Sequence, residues 1–111
     1  MRLPNADKAV IAPEKLRNYL LNTAHRKGGS KARLLVSLGY SADDWLRLET
    51  DLRMEHLSAE VVEESDSEYG KRYAIVAPLN GPSGRDRVFR TVRQIDIGTD
   101  NPRLITMYSE W

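Results

Sequence analysis

Two alternating segments in the last third of the chain constrain its fold most. Residues 86–97 and 103–109 alternate apolar side chains with Arg, Thr and Tyr, and the turn-forming sequence GTDNP at residues 98–102 separates them. Such alternation is typical of strands with one face buried and one face in water. We therefore expect a long antiparallel hairpin whose open face carries cations and hydroxyl groups.

The preceding residues predict the other elements. Apolar residues at helical spacing predict helices over residues 14–24, 31–38 and 41–56. Residues 59–64 and 71–79 have the composition and alternation of two further strands. Helices followed by a run of strands indicate an α+β fold, in which two to three N-terminal helices pack on a four-stranded antiparallel meander sheet.

The totals are typical of one globular domain spanning residues 1–111. The chain is 41% hydrophobic and 30% charged and has no cysteine, which excludes disulfides and favours a reducing cytoplasm. No apolar run approaches the roughly 20 residues of a membrane helix, and no signal-peptide pattern follows Met1. The two histidines lie far apart and no cofactor fingerprint occurs, so we expect no metal, no cofactor and no membrane partner.

Charge is distributed unevenly along the chain. The net charge is only +1, which predicts no global basic field, but residues 25–33 and 85–93 are locally basic. If these two segments converge in space, they form one cationic site. Residues 41–68 are acid-rich, and the acidic third helix among them is interpreted as a solvated face, with a docking surface for a basic partner as the alternative.

Motifs spread through nearly the whole chain resemble an uncharacterised bacterial family of unknown function. They include LPNADKA at residues 3–9, PLNGPSG at residues 78–84 and PRLITMY at residues 102–108. The chain departs from the family pattern at Gly29 and Ser30, where basic residues or a further His are usual, and at Arg93, where a Trp is usual. The family name itself implies no activity.

The expected fold also resembles the barnase, colicin and RelE-like toxin nucleases. Helices carrying a His and a Lys precede a meander sheet that presents Arg, Thr and Tyr. This resemblance implies a small metal-independent ribonuclease, although the same fold also hosts proteins that are not enzymes.

Three residues are candidates for catalysis. His25 is a candidate because an unperturbed histidine pKa near ~6.5 suits acid–base chemistry, although a histidine at a helix end can simply stabilise the helix dipole. Lys31 is a cation in the first turn of a helix, where it can contact phosphate or remain a solvated lysine. Arg90 can stabilise a transition state or pair at the edge of the core. His56 is interpreted as structural.

Four further residues are candidates for binding substrate: Arg103, Thr106, Tyr108 and Thr91. Their guanidinium and hydroxyl groups can donate hydrogen bonds to phosphate, whereas Thr and Tyr are also common simply because they favour strands. Strict alternation places Arg103 on one face with Ile105 and Met107. It also suggests that Arg93 is an ordinary solvent-side residue.

Two functional hypotheses follow. In the first, the chain is a ribonuclease-like toxin domain that transfers the RNA 2′-hydroxyl onto the adjacent phosphate by acid–base catalysis. In the second, it is a non-catalytic interaction module, such as a toxin-neutralising or adaptor protein. The expected partner is RNA in the first case and a small cognate protein in the second.

Overall fold

The computed structural model describes residues 1–22, residue 24 and residues 29–109, and for Tyr19, Gly29 and Ser30 it describes the backbone alone. Three helical regions precede the sheet. Helix α1, residues 13–20, begins as an α-helical turn at Pro13–Lys15 and continues as a π-helical segment at Leu16–Leu20. Pro13 occupies the first helical position, where its missing N–H costs nothing.

The next two helices lie where leucine spacing predicts them. Helix α2 is Gly29–Ser37. Helix α3, residues 42–56, consists of a 3₁₀ turn at Ala42–Asp44, an α-helix at Trp45–Asp51 and a π-helical end at Leu52–His56. Ser41 caps the start of α3, because its hydroxyl accepts a hydrogen bond from the Asp44 backbone N–H at 3.3 Å. Within the described residues, no helix is long and apolar enough to cross a membrane.

The second half of the chain forms one antiparallel meander. Its strands are β1 at Val61–Ser67, β2 at Gly70–Asn80, β3 at Asp86–Asp96 and β4 at Arg103–Ser109. They lie in the order β1-β2-β3-β4, and each pairs with its sequence neighbour. The predicted α+β architecture is confirmed.

The helices cover one face of this sheet, which we call the inner face. Leu79, Phe89 and Met107 pack there against buried leucines of all three helices. Leu3, Ala9 and Leu57 extend the core over Tyr73 and Ile75. Each of these side chains leaves water on folding, and together they supply the main stabilising free energy of the sheet and its helices.

The opposite face, which we call the outer face, carries the alternate residues of the same strands. Its members on the three C-terminal strands include Arg72, Ala74, Val76, Val88, Arg90, Val92, Thr106 and Tyr108. Val88 and Tyr108 are exposed, at 39% and 40% of their surface. The outer face is therefore the part of the sheet that is open to a ligand.

A β-bulge in β4 corrects the expected alternation. Val92 pairs with Thr106 but Arg93 pairs with Leu104, so Ile105 is an extra residue opposite this step. Leu104 and Met107 both point inward as a result, and the expectation that Arg103 shares a face with Met107 is wrong. Arg93, interpreted as a solvent-side residue, is fully buried on the inner face.

Candidate functional site

The clearest polar contact at the outer face joins helix α2 to the edge strand β4. Lys31, in the first turn of α2, donates a hydrogen bond from Nζ to Thr106 Oγ1 at 3.3 Å. Thr106 pairs with Val92 and so belongs to the outer face. Ala32 and Leu35 anchor α2 in the core, which holds Lys31 at the rim of the sheet. Two residues that lie 75 positions apart in sequence, and that were both predicted as site residues, are in direct contact.

Arg90 and Tyr108 extend this arrangement along the outer face. They are direct partners in the β3–β4 ladder, and directly opposed residues have Cβ atoms about 5 Å apart. Tyr108 follows Thr106 by two residues on the same strand, so all three side chains project from one face. Arg90 is half-buried and Tyr108 is exposed.

A cation beside three hydroxyl or guanidinium groups can bind a phosphodiester. Lys31 supplies a point charge, Arg90 supplies a planar fork of donors, and Thr106 and Tyr108 supply hydroxyl groups. A phosphate held there would be close to solvent on one side and to the low-polarity surface of Val92 on the other. We call the set Lys31, Arg90, Thr106 and Tyr108 the outer-face cluster.

Arg103 and Thr91 lie apart from this cluster. Arg103 is at the opposite end of β4, about 7 Å from Thr106 along the sheet because of the bulge, and its Nε forms an ion pair with Asp96 Oδ2 at 2.7 Å. This pairing raises the pKa of Arg103 and lowers the pKa of Asp96. Thr91 points to the inner face, is 0% exposed, and has its hydroxyl 3.1 Å from His56 Nδ1. Thr91 therefore cannot reach a ligand bound on the outer face.

His25, the predicted acid–base residue, lies outside the residues that the structure describes. Within residues 1–22, 24 and 29–109, no group of three or more His, Asp and Glu side chains has the arrangement of a metal site.

Sequence reasoning missed a second polar group, on the inner face. Arg93, Thr91 and His56 are all fully buried, and Arg93 and Thr91 are two residues apart on β3. Burial first, and the Arg93 charge second, lower the pKa of His56 to about 4. One signal was available: Arg93 is in strict alternation with Phe89 and Thr91, so a buried Phe89 requires a buried Arg93.

Comparison with solved structures supports the description of the fold. A chain of a structure described as "Contact-dependent growth inhibition toxin - immunity protein complex from Klebsiella pneumoniae 342" superposes with a TM-score of 0.65 and 17% sequence identity. The superposition covers 92% of the present chain and 100% of that chain. At this identity the similarity establishes a shared fold.

Sequence comparisons place the chain in a family. A search of curated proteins found no match. A family model described as "Domain of unknown function (DUF6883)" matches residues 2–110, which is nearly the full length. The predicted resemblance to an uncharacterised family is confirmed, and the chain belongs to the DUF6883 family.

Proposed function

We propose that this chain is a toxin-type ribonuclease domain that cleaves RNA without a metal ion. The observation that carries the proposal is the hydrogen bond from Lys31 to Thr106, beside Arg90 and Tyr108 on the open face of the sheet. A toxin-type or immunity-type role is further supported by the shared fold with a chain of a growth-inhibition toxin–immunity protein complex.

The proposed reaction is an intramolecular transfer within RNA. The ribose 2′-oxygen forms a bond to the adjacent phosphorus while the bond from phosphorus to the 5′-oxygen breaks. The products are a 2′,3′-cyclic phosphate and a 5′-hydroxyl. His25 takes the proton from the 2′-hydroxyl while water protonates the departing 5′-oxygen, or His25 protonates the 5′-oxygen while water accepts the 2′-hydroxyl proton; an unperturbed imidazole can do either near neutral pH.

The outer-face cluster would stabilise the charge that develops on the phosphate. Lys31 and Arg90 carry the positive charges, while Thr106 and Tyr108 position the oxygens by hydrogen bonds. Arg103 would contribute only weakly, because it is paired with Asp96 at the far end of β4. We expect it to contact a neighbouring nucleotide rather than the reacting phosphate.

Cleavage of purified RNA tests this function. The wild-type protein should release fragments with 5′-hydroxyl and 2′,3′-cyclic phosphate ends in the presence of a metal chelator. Lys31→Ala and Arg90→Ala should each lower the rate by about 10²–10³-fold, the usual effect of removing one charge-stabilising donor. Arg33→Ala is the matched control, because Arg33 is an exposed cation on the same helix as Lys31.

Two results would contradict the proposal. If Lys31→Ala and Arg90→Ala cleave as fast as Arg33→Ala, the outer-face cluster is not the site. If the wild-type protein neither cleaves RNA nor arrests growth of a bacterial host that expresses it, the ribonuclease function itself is wrong.

A second candidate function is a non-catalytic protein-binding module. The exposed apolar surface of Val88 and Tyr108 on the outer face favours it, since open strands with apolar side chains are common protein-binding surfaces. A small protein partner would then cover this face. Co-expression with the product of an adjacent gene should yield a complex that Val88→Asp disrupts, with no RNA cleavage by any preparation.

A further inference from the structure

The guanidinium group of Arg93 is buried without compensation. Arg93 is 0% exposed, and its Nε, Nη1 and Nη2 atoms have no hydrogen-bond partner within the described parts of the chain. Burial, and to a lesser extent the charge of Arg53, lower the pKa of Arg93 to about 10, so the group remains charged at pH 7. An unpaired buried charge is among the most destabilising features a fold can contain, which implies that something balances it.

The groups around Arg93 are also positive or neutral. His56 and Thr91 lie beside it on the inner face, and their side chains bond to each other at 3.1 Å. The nearest second cation is Arg53 on α3, which already pairs with Glu49 at 3.0 Å. The Glu49 carboxylate is engaged by Arg53, and Arg93 has no hydrogen-bond partner within the described residues.

The backbone near Arg93 encloses this group rather than leaving it open. In the sheet, Arg93 lies between Tyr73 on β2 and Leu104 on β4. Val10 pairs with the edge of β4, donating to the Pro102 carbonyl at 2.8 Å and accepting from the Leu104 N–H at 3.2 Å. The neighbouring Ala9 carbonyl accepts from Arg53 Nη1 at 3.1 Å. Residues 9–10 thus span from β4 to α3 on the same side of the sheet as Arg93.

Arg53 connects this buried group to the surface. Its side chain is half-buried and lines a cavity of about 510 Å³, whose wall also includes Arg2 and Leu57. The charged residues of the cavity wall are two cations, Arg2 and Arg53, and one carboxylate, Asp7, and the charge of Arg53 acts on Arg93. Positive potential therefore extends from the cavity to the interior.

We propose that Arg93 binds a small oxyanion, such as inorganic phosphate, inside the protein, with the His56–Thr91 pair and Arg53 beside it. The planar guanidinium fork matches two oxygens of a phosphate or carboxylate, and the three unpartnered nitrogens provide the donors. This site is on the inner face and is independent of the outer-face cluster and of the proposed nuclease activity.

Thermal unfolding in the presence of inorganic phosphate tests the proposal. At constant ionic strength, phosphate at tenfold its dissociation constant should raise the melting temperature of the wild-type protein by about 5 °C, and each further tenfold increase in phosphate should raise it by a similar amount. Arg93→Met should abolish this response, because methionine fills similar volume without charge. Arg33→Met is the matched control: it removes an exposed guanidinium on α2 that belongs to neither site, and it should leave the response intact.

Three results would overturn the proposal: no response of the wild type, an equal response of Arg93→Met, or a response lost in Arg90→Met alone, which would assign phosphate to the outer face. If Arg93→Met does not fold, the His56 ring resonances of the wild-type protein decide instead. They should shift saturably with phosphate, and unchanged resonances contradict an internal site. Parallel titrations with sulfate and acetate distinguish tetrahedral oxyanions from carboxylates.

Discussion

At the residue scale, His56 is a buried imidazole that the fold holds in its neutral form. It is 0% exposed and contacts Thr91, with Arg93 facing it from β3 and Arg53 and Glu49 lying on its own helix. Burial and the Arg93 charge lower its pKa from 6.5 to about 4, while the Ala77 backbone carbonyl opposes the shift. Protonating this group adds a second buried cation next to Arg93.

His56 should make the protein sensitive to mild acid. Its pKa is lower in the folded state, so the unfolded chain binds the proton first, and stability falls as the pH decreases from 6.5 towards 4. Between pH 7 and pH 5, we expect the free energy of unfolding to fall by roughly 2 kcal/mol. Urea unfolding at pH 7, 6 and 5 measures this loss.

A variant at the same position provides the control. His56→Gln has no titrating ring, so its stability should change much less over the same pH range, whatever its absolute value. If wild type and His56→Gln lose stability in parallel, the acid sensitivity belongs to other groups and His56 is not a buried neutral histidine.

At the element scale, a close backbone approach joins the end of α2 to the turn between β2 and β3. The Ser83 N–H donates to the Leu38 carbonyl at 3.0 Å. A Cβ atom on Gly81 would lie 2.1 Å from that carbonyl oxygen, far inside contact distance, and the atom it meets is backbone and cannot rotate away. Glycine at position 81 is therefore required for α2 to dock on the sheet.

Gly81→Ala should accordingly be strongly destabilising. We expect a loss of about 2–3 kcal/mol from forced separation of α2 and the turn, measured as a lower urea midpoint. Gly84→Ala in the same turn is the comparison. Its added Cβ meets no atom within 4 Å, so only its positive φ of +86° is penalised, at about 1 kcal/mol. Equal losses in the two variants would show that α2 does not depend on this contact.

The elements themselves were predictable because their signals are local. Leucine spacing located α2 and α3, and alternation between turn-forming residues located β2, β3 and β4. The bulge at Ile105 was not predictable, because an extra residue in one strand shows only when its partner strand is known. The predicted end of the first helix at residue 24 was also too late, since α1 ends at Leu20.

At the scale of the whole molecule, the sheet has an inner face that packs against the helices and an outer face that is open to a ligand. The sequence predicted, from side-chain chemistry, a site that includes Lys31, Arg90, Thr106 and Tyr108. In the structure, Lys31 contacts Thr106, and Arg90 lies opposite Tyr108. Thr91, predicted for the same site, lies on the inner face. Alternation groups Thr91 and Arg93 with Phe89, but which face the helices cover depends on packing between residues far apart in sequence, so the burial of Phe89 must be known before theirs follows.

Because successive side chains of β4 point to opposite faces of the sheet, substitutions at neighbouring residues should differ in whether they lower RNA cleavage or the free energy of unfolding. Thr106→Val keeps the shape of a half-buried outer-face residue, so unfolding should change by less than about 0.5 kcal/mol. It removes the hydroxyl that Lys31 contacts, so RNA cleavage should fall by at least about 10-fold.

Met107→Ala should show the opposite behaviour. Met107 is 1% exposed and packs in the main core, so its truncation should cost about 2–5 kcal/mol in urea unfolding. Cleavage measured where this variant is still folded should remain close to the wild-type rate. If Thr106→Val loses stability rather than activity, Thr106 acts as a structural anchor for α2, and the outer-face cluster loses the contact on which its catalytic role depends.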